Sequence, residues 1–268
     1  MDIPIQPIIP FLFGVIIGSF LNVVSLRFNT GVGVNGRSKC MTCGTTLTWK
    51  ELIPLLSFFL QRGACKNCKG KISWQYPLVE FLAGAIFVLT LLIFPPVTAM
   101  AAVTTILYLI AGCLLVVMTV YDIKHKIIPD PFVYTFDVIA LASLFLGGTS
   151  WFHGADFYAL IAGPLLAVPF AFIWLVSRGR WMGFGDAKLV LGIGWILGIS
   201  GGINALVLAF WIAAAASLLW LFLISKKFKR GTEVPFGPYL ILGMYLVLLF
   251  KIQVLDIALL KDLLTGYL

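Results

Sequence analysis

VTAMAAVTTILYLIAGCLLVVMTVYDIKHKIIPD, residues 97–130, runs from Val97 to Tyr121 without one charged residue and then breaks into Asp122-Ile123-Lys124-His125-Lys126. At 1.5 Å per residue the uncharged part makes a helix about 37 Å long, enough to cross a hydrocarbon core of about 30 Å. Asp122 stands where this helix meets polar sequence, and a carboxylate in such a position asks for a reason.

The rest of the chain repeats the pattern. Of its 268 residues 61% are hydrophobic and 11% charged, against roughly 25% charged in a soluble domain. Apolar segments fall at 8–26, 77–94, 97–121, 132–148, 157–177, 187–200, 203–225 and 238–255. The expected fold is an all-α polytopic membrane protein of about eight transmembrane helices. The first segment lacks a basic n-region and a small-residue cleavage site, so it reads as a retained helix and not a signal peptide. The sixth is short and glycine-rich, with Gly192, Gly194 and Gly198. The organisation expected is a first helix (1–26), a small soluble domain (27–76), a membrane domain (77–255) and a tail (256–268).

The net charge of +8 gives orientation and no indication of nucleic-acid binding. Eight basic residues lie between Arg27 and Lys71, with others at Lys124, Lys126, Arg178, Arg180, Lys188 and between Lys226 and Arg230. If eight helices alternate, all of these share one side. The opposite loops, near Pro95-Pro96, Ser150–Asp156 and Ser200–Gly202, hold no Lys or Arg. By the positive-inside rule the basic side is cytoplasmic and both termini are outside.

Four of the five cysteines fall in the soluble segment, as Cys40-Met41-Thr42-Cys43 and Cys65-Lys66-Asn67-Cys68. Two Cys-x-x-Cys knuckles let four thiolates converge on one Zn2+ ion. Gly44, Gly63 and Gly70 sit where tight turns favour glycine. About fifty residues build little core, so a structural metal would supply folding energy. Two disulfides or a redox pair are the alternative, which a reducing cytoplasm disfavours. Four thiolates leave no open position for a catalytic water. Cys113, alone in the third apolar segment, reads as a small packing residue.

Eleven acidic residues are few enough to weigh singly. Asp2, Asp262, Asp156, Glu51 and Glu233 read as solvated, and Asp256 opens a tail with the apolar spacing of an interfacial helix. Asp130, before Pro131, reads as an N-cap. Glu80, after Pro77, falls in a helix first turn, where the macrodipole favours it, or faces a site. Asp137 lies about two turns into its helix, where a buried carboxylate needs a partner or a proton. Asp122 ends a helix, where the dipole disfavours it. Asp186 follows Gly183-Phe184-Gly185 and either caps the next helix or works beside Asp122. Together on one membrane face, Asp122 and Asp186 suggest acid/base chemistry on a membrane-anchored substrate.

These residues resemble a known family. The block from Asp122 to Ile128-Pro129-Asp130 and the block Gly183-Phe184-Gly185-Asp186-Ala187-Lys188-Leu189 are similar to the two active-site motifs of type IV prepilin peptidases, which are Gly-x-Gly-Asp membrane aspartyl proteases. Similarity extends through Gly18-Ser19-Phe20-Leu21-Asn22-Val23-Val24, the paired cysteines, Ile53-Pro54-Leu55-Leu56-Ser57, Tyr76-Pro77-Leu78-Val79-Glu80 and Val234-Pro235-Phe236-Gly237-Pro238-Tyr239-Leu240. Met41 stands where the family often has proline, and Phe28-Asn29 where it often has Leu-Pro. The resemblance implies a bifunctional enzyme of the bacterial inner membrane. It would cleave the leader from prepilins and pseudopilins after glycine on the cytoplasmic face, then N-methylate the new N-terminus from S-adenosylmethionine. Catalytic roles carry over to Asp122 and Asp186, and the loop cysteines to Cys40, Cys43, Cys65 and Cys68. No Gly-rich nucleotide loop marks a methyl-donor site.

A proton-coupled transporter using Asp122, Asp137 and Asp186 as relay groups is the rival reading. It predicts inverted repeats, of which no second copy is found. A zinc-lobed assembly factor would leave the Gly-Phe-Gly-Asp turn without a use. Topology is open to a direct check: reporters fused near Asn35, Lys124, Arg178 or Lys229 should report cytoplasm, and those near Pro96, His153 or Gly201 the outer side. Opposite faces for the Asp122 and Asp186 loops would exclude a shared site.

Overall fold

A computed structural model describes residues 7–31, 33–146, 157–223 and 234–255 of the chain. Among these the regular elements are helices: α1 (Ile8–Arg27), a 3-10 turn (Trp49–Glu51), α2 (Leu56–Leu60), α3 (Gln75–Ile93), α4 (Ala99–His125), α5 (Asp130–Phe145), α6 (Phe157–Ser177), α7 (Phe184–Leu223) and α8 (Gly237–Phe250). Within the described residues α1, α3, α4, α6 and α7 are each long and apolar enough to cross a membrane. The apolar α5 and α8 are shorter, at 16 and 14 residues. Large apolar side chains such as Phe13, Ile16, Phe172 and Trp211 remain exposed, as a lipid-facing surface requires.

Helix α7 accounts for two of the expected segments. Gly198 breaks it at φ 70° and ψ −175°, a backbone conformation open essentially to glycine alone. A methyl on Gly202 would lie 3.8 Å from the Gly194 Cα, although eight residues of straight helix span about 12 Å. The chain therefore folds back at Gly198. The second limb runs antiparallel to α8: Asn204 Oδ1 accepts from the backbone N–H of Val254 and Leu255, and the Phe210 ring meets Phe236 at 4.8 Å. The turn expected at Ser200–Gly202 thus sits earlier, and one glycine makes it.

The helices pack through small residues, as membrane bundles do. Gly14 and Gly18 let α1 approach α3 so closely that added methyls would lie 2.7 Å from Ala83 O and 2.8 Å from Glu80 Cα. Helix α4 lies between two apolar clusters. One joins Leu21, Val79 and Ala83 to its Val116, Val117 and Val120. The other joins its Leu115 and Met118 to Val133, Phe136, Leu189, Ile193, Leu240 and Met244. Asn29 adopts φ 59° just past the end of α1, the left-handed position that asparagine tolerates. Phe28 before it packs on Tyr121 and Phe132.

Contacts between helix ends show which termini share a face. Asn22 near the end of α1 donates to Tyr76 O at the start of α3, and Lys188 near the start of α7 donates to Asp130 at the start of α5. Trp174 of α6 stacks near Phe184 at 4.7 Å. Residues 147–156, 224–233 and 256–268, with the expected outer loop at Ser150–Asp156, the basic run at Lys226–Arg230 and the tail helix, lie outside the described residues. Gly198→Ala should cost about 1–3 kcal/mol, because a Cβ strains that conformation. Thermal unfolding in detergent reads this as a lowered midpoint.

Candidate active site

Two helix N-termini and one helix C-terminus meet where the acidic residues were expected. Asp122 lies in the last turn of α4, 4% exposed, and Asp186 in the first turn of α7, 8% exposed. A carboxylate in a helix's last turn faces carbonyl dipoles of its own sign. The start of α8 offsets this: Gly237 N–H donates to Asp122 Oδ2 at 3.1 Å. Asp186, at the N-terminus of α7, has the favourable end of its own helix, and its N–H donates to Gly183 O at 3.2 Å. The two acids flank one contact: Asp122 Oδ2 lies beside Gly237, Gly237 and Gly185 both abut Ile128, and Asp186 follows Gly185 directly.

Ile128 is the wedge that fixes this geometry. A methyl on Gly185 would fall 2.9 Å from Ile128 Cβ, and one on Gly237 would fall 3.2 Å from Ile128 Cδ1 and 2.8 Å from Asp122 Oδ2. Both glycines are therefore kept by close approach, with Ile128 between the starts of α7 and α8. On the other side of Asp186, Gly183 leaves space: a methyl there would reach no closer than 3.8 Å to Asp186 Oδ2.

The other acids separate cleanly from this pair. Helix α5 begins at Asp130 itself, with Pro129 as its cap residue and no side-chain cap bond. The expected N-cap role of Asp130 is thus replaced by an ion pair with Lys188 at 2.6 Å. Helix α3 begins at Gln75, which puts Glu80 in its second turn and away from the expected capping position. Glu80 instead accepts from Leu55 N–H at 2.7 Å. Glu51, expected to be merely solvated, forms a capping box with Thr48, and those Thr48 hydrogen bonds hold its carboxyl below the usual range. Asp137 is 6% exposed, and its Oδ1 lacks a hydrogen-bond partner among the described residues. It abuts Gly192 of α7, six residues past Asp186 and so about 9 Å along the helix.

The four loop cysteines converge. Their sulfurs lie within 4.8 Å of one another, with Cys40 Sγ and Cys68 Sγ at 3.8 Å. A tetrahedral ion with sulfurs at about 2.3 Å sets them about 3.8 Å apart, so the cluster fits one metal ion. Both knuckles are built alike. Cys40 N–H donates to Thr45 O and Cys65 N–H to Gly70 O, and isolated bridges pair Lys39 with Thr46 and Ala64 with Lys71. The left-handed residue is Gly44 in the first knuckle but Lys69 in the second. Gly70 is glycine for another reason, since a methyl there would lie 2.8 Å from Thr42 Oγ1. Backbone N–H groups of Cys43 and Thr42 lower the Cys40 thiol to about 6. Against the Gly70 N–H, which favours the thiolate, desolvation and the Cys43, Cys65 and Cys40 sulfurs push Cys68 up to about 11.

Fold and site together define a polytopic helical membrane protein with two buried aspartates meeting at one end of its bundle. Residues 12–94 match the bacterial peptidase A24 N-terminal domain, and residues 108–218 match the type IV leader peptidase family. The chain is 31% identical over 251 residues to a prepilin leader peptidase/N-methyltransferase of Bacillus subtilis, covering 90% of this chain and 92% of that protein. It is 31% identical to the protein of that name in Aeromonas hydrophila, covering 90% and 89%. It is also 30% identical to a type 4 prepilin-like proteins leader peptide-processing enzyme of Escherichia coli, covering 91% and 96%. No solved structure matches the chain. The chain belongs to the type IV leader peptidase family.

Gly237 and Ile128 were not foreseen as parts of the site. Both lie in stretches that carry the family resemblance, but only the folded contacts show why those residue types stand there. Gly237→Ala should cost about 1–3 kcal/mol of stability through overpacking against Asp122. Thermal unfolding beside the milder Gly33→Ala, whose added methyl would come no closer than 4.0 Å to its neighbour Asn35 N, gives the comparison.

Proposed function

We propose that this chain cleaves the leader peptide from type IV prepilins and pseudopilins after glycine, with Asp122 and Asp186 as the catalytic pair, and then N-methylates the new N-terminus. The observation that carries this reading is that these two buried carboxylates stand at the adjoining starts of α7 and α8, which Ile128 joins through Gly185 and Gly237. The names of the relatives support both activities. The site lies at the cytoplasmic face of the bacterial inner membrane, which the basic loops on that side support. Residues 27–76 form the metal-binding domain and 77–255 the membrane protease domain.

Two carboxylates sharing a site cannot both ionise. The ionised one takes a proton from water as the oxygen attacks the glycine carbonyl carbon. The protonated one gives its proton to the carbonyl oxygen. Collapse of the tetrahedral intermediate breaks the C–N bond: the carboxyl protonated in the first step gives that proton to the departing amine, and a hydroxyl of the intermediate returns a proton to the other carboxylate. The pair titrates as a unit, so the proton belongs to both groups. Helix N-termini aimed at the pair stabilise the ionised member. Space beside Gly183 leaves the substrate backbone an approach to Asp186.

Cys40, Cys43, Cys65 and Cys68 would hold a structural Zn2+, which closes the loop and takes no part in hydrolysis. S-adenosylmethionine supplies the methyl group when bound. The described residues contain no strand–loop–helix nucleotide site.

Asp122→Asn and Asp186→Asn should each reduce cleavage of a leader peptide by at least about 10²–10⁴-fold, because each removes one proton-transfer group. Methyl transfer to an already cleaved peptide should persist in both. Near-normal cleavage by either folded variant would exclude the pair. Elemental analysis of purified protein should find about one zinc per chain, and Cys→Ser at any of the four should lower it and loosen the loop. A metal-free protein with a protease-resistant loop would exclude the structural zinc.

A further inference from the structure

Between Trp49 and Trp74 the chain exposes apolar side chains that neither the cysteine cluster nor the aspartate pair uses. Leu56, Phe59 and Leu60 of α2 are 53%, 60% and 72% exposed, and Trp49 and Trp74 are 71% and 68% exposed. The inward side of α2 is satisfied: Phe58 packs on Trp74 at 4.8 Å, and its ring lies against Gly63. A water-facing lobe has no use for such an outward face.

The depth of α2 says what covers it. Leu55 sits at φ 59° and ψ −57° in a γ-turn closed by Leu56 N–H to Pro54 O at 2.6 Å. This strained turn is rare for a non-glycine residue. The Leu55 N–H is held by Glu80, five residues inside α3 and so about 7–8 Å below its start. Helix α2 therefore begins level with the second turn of a membrane-spanning helix. At that level Leu78 and Phe81 of α3 already face outward at 57% and 52% exposure. The apolar face of α2 continues that belt.

Charge points to the same partner. Residues 27–76 carry eight basic side chains and one acidic one, Glu51, which Thr48 engages. Arg62, Lys66, Lys69 and Lys71, all exposed, follow α2 directly. Exposed tryptophans beside a basic cluster are the composition of an anionic membrane interface.

We infer that α2 lies in the headgroup–acyl boundary of the bilayer, and that the cysteine lobe docks on anionic lipid through Leu56, Phe59, Leu60 and the basic residues behind them. The lobe is then a membrane-bound platform beside the aspartate pair.

The test places the photoreactive residue p-benzoylphenylalanine at Leu60 in the full-length protein. It is reconstituted in vesicles of phosphatidylglycerol with phosphatidylethanolamine, or of phosphatidylcholine alone. After irradiation, mass spectrometry of the lobe peptides should show lipid adducts at position 60. Their yield should be roughly several-fold higher with phosphatidylglycerol, because the exposed cations of the lobe favour an anionic headgroup layer. Replacing Arg62, Lys66, Lys69 and Lys71 together by Gln should remove that preference and keep the adduct. Absence of lipid adducts in both vesicle types overturns the inference, as does crosslinking only to an added leader-bearing peptide. If the label at Leu60 disrupts the lobe, seen as loss of its metal content, the same label at Phe59 decides the question.

Discussion

Two carboxylates buried at the end of an apolar bundle are the constraint around which the rest of this protein is arranged. A buried charge without partners costs several kcal/mol, and lipid supplies none. The fold answers by bringing helix N-termini to the acids. Asp186 starts α7, and Asp122, badly placed at the end of α4, receives the Gly237 N–H from α8. Charge-assisted hydrogen bonds of this kind contribute about 1.5–3 kcal/mol each. The starts of α7 and α8 must then lie side by side, and the path of the chain follows from that.

Both helices start on the same face only if the chain crosses back between them. The fold-back at Gly198 does this with one residue, and Gly192, Gly194 and Gly202 keep the limbs close to their neighbours. Ile128 then fills the gap left by Gly185 and Gly237. The cysteine lobe is tied down at both of its ends and at Leu55. Asn22, 1% exposed, bonds Tyr76 O across its two ends, and Glu80 holds the γ-turn at Leu55. The lobe and the aspartate pair share one end of the bundle because Phe28, at the lobe's start, packs on Tyr121 beside Asp122.

Much of this was legible in the sequence, and the exceptions have physical causes. Charge-free runs mark membrane helices strongly, so α1, α3, α4 and α6 fell close to their expected bounds. The paired Cys-x-x-Cys spacing anticipated the convergence of the four sulfurs, because two such knuckles turn their thiols toward one point. The turn at Gly198 was displaced because it costs no polar residues and leaves no hydropathy signal. Asp130 was misread because its partner Lys188 lies 58 positions away, and local capping rules see only neighbours. Glu80 was misplaced by a start assigned to Pro77, two residues after the helix begins. Gly237 escaped because its contribution is a backbone N–H, which every residue but proline possesses.

The central claim is that Asp122 and Asp186 activate water directly, with no covalent acyl-enzyme between substrate and product. A single turnover on a glycine–phenylalanine leader peptide in ¹⁸O-labelled water containing hydroxylamine tests it most directly. Direct attack by water predicts one ¹⁸O in the new glycine carboxylate and no leader hydroxamate. A hydroxamate at that glycine would show an acyl intermediate on another side chain, and would contradict the account.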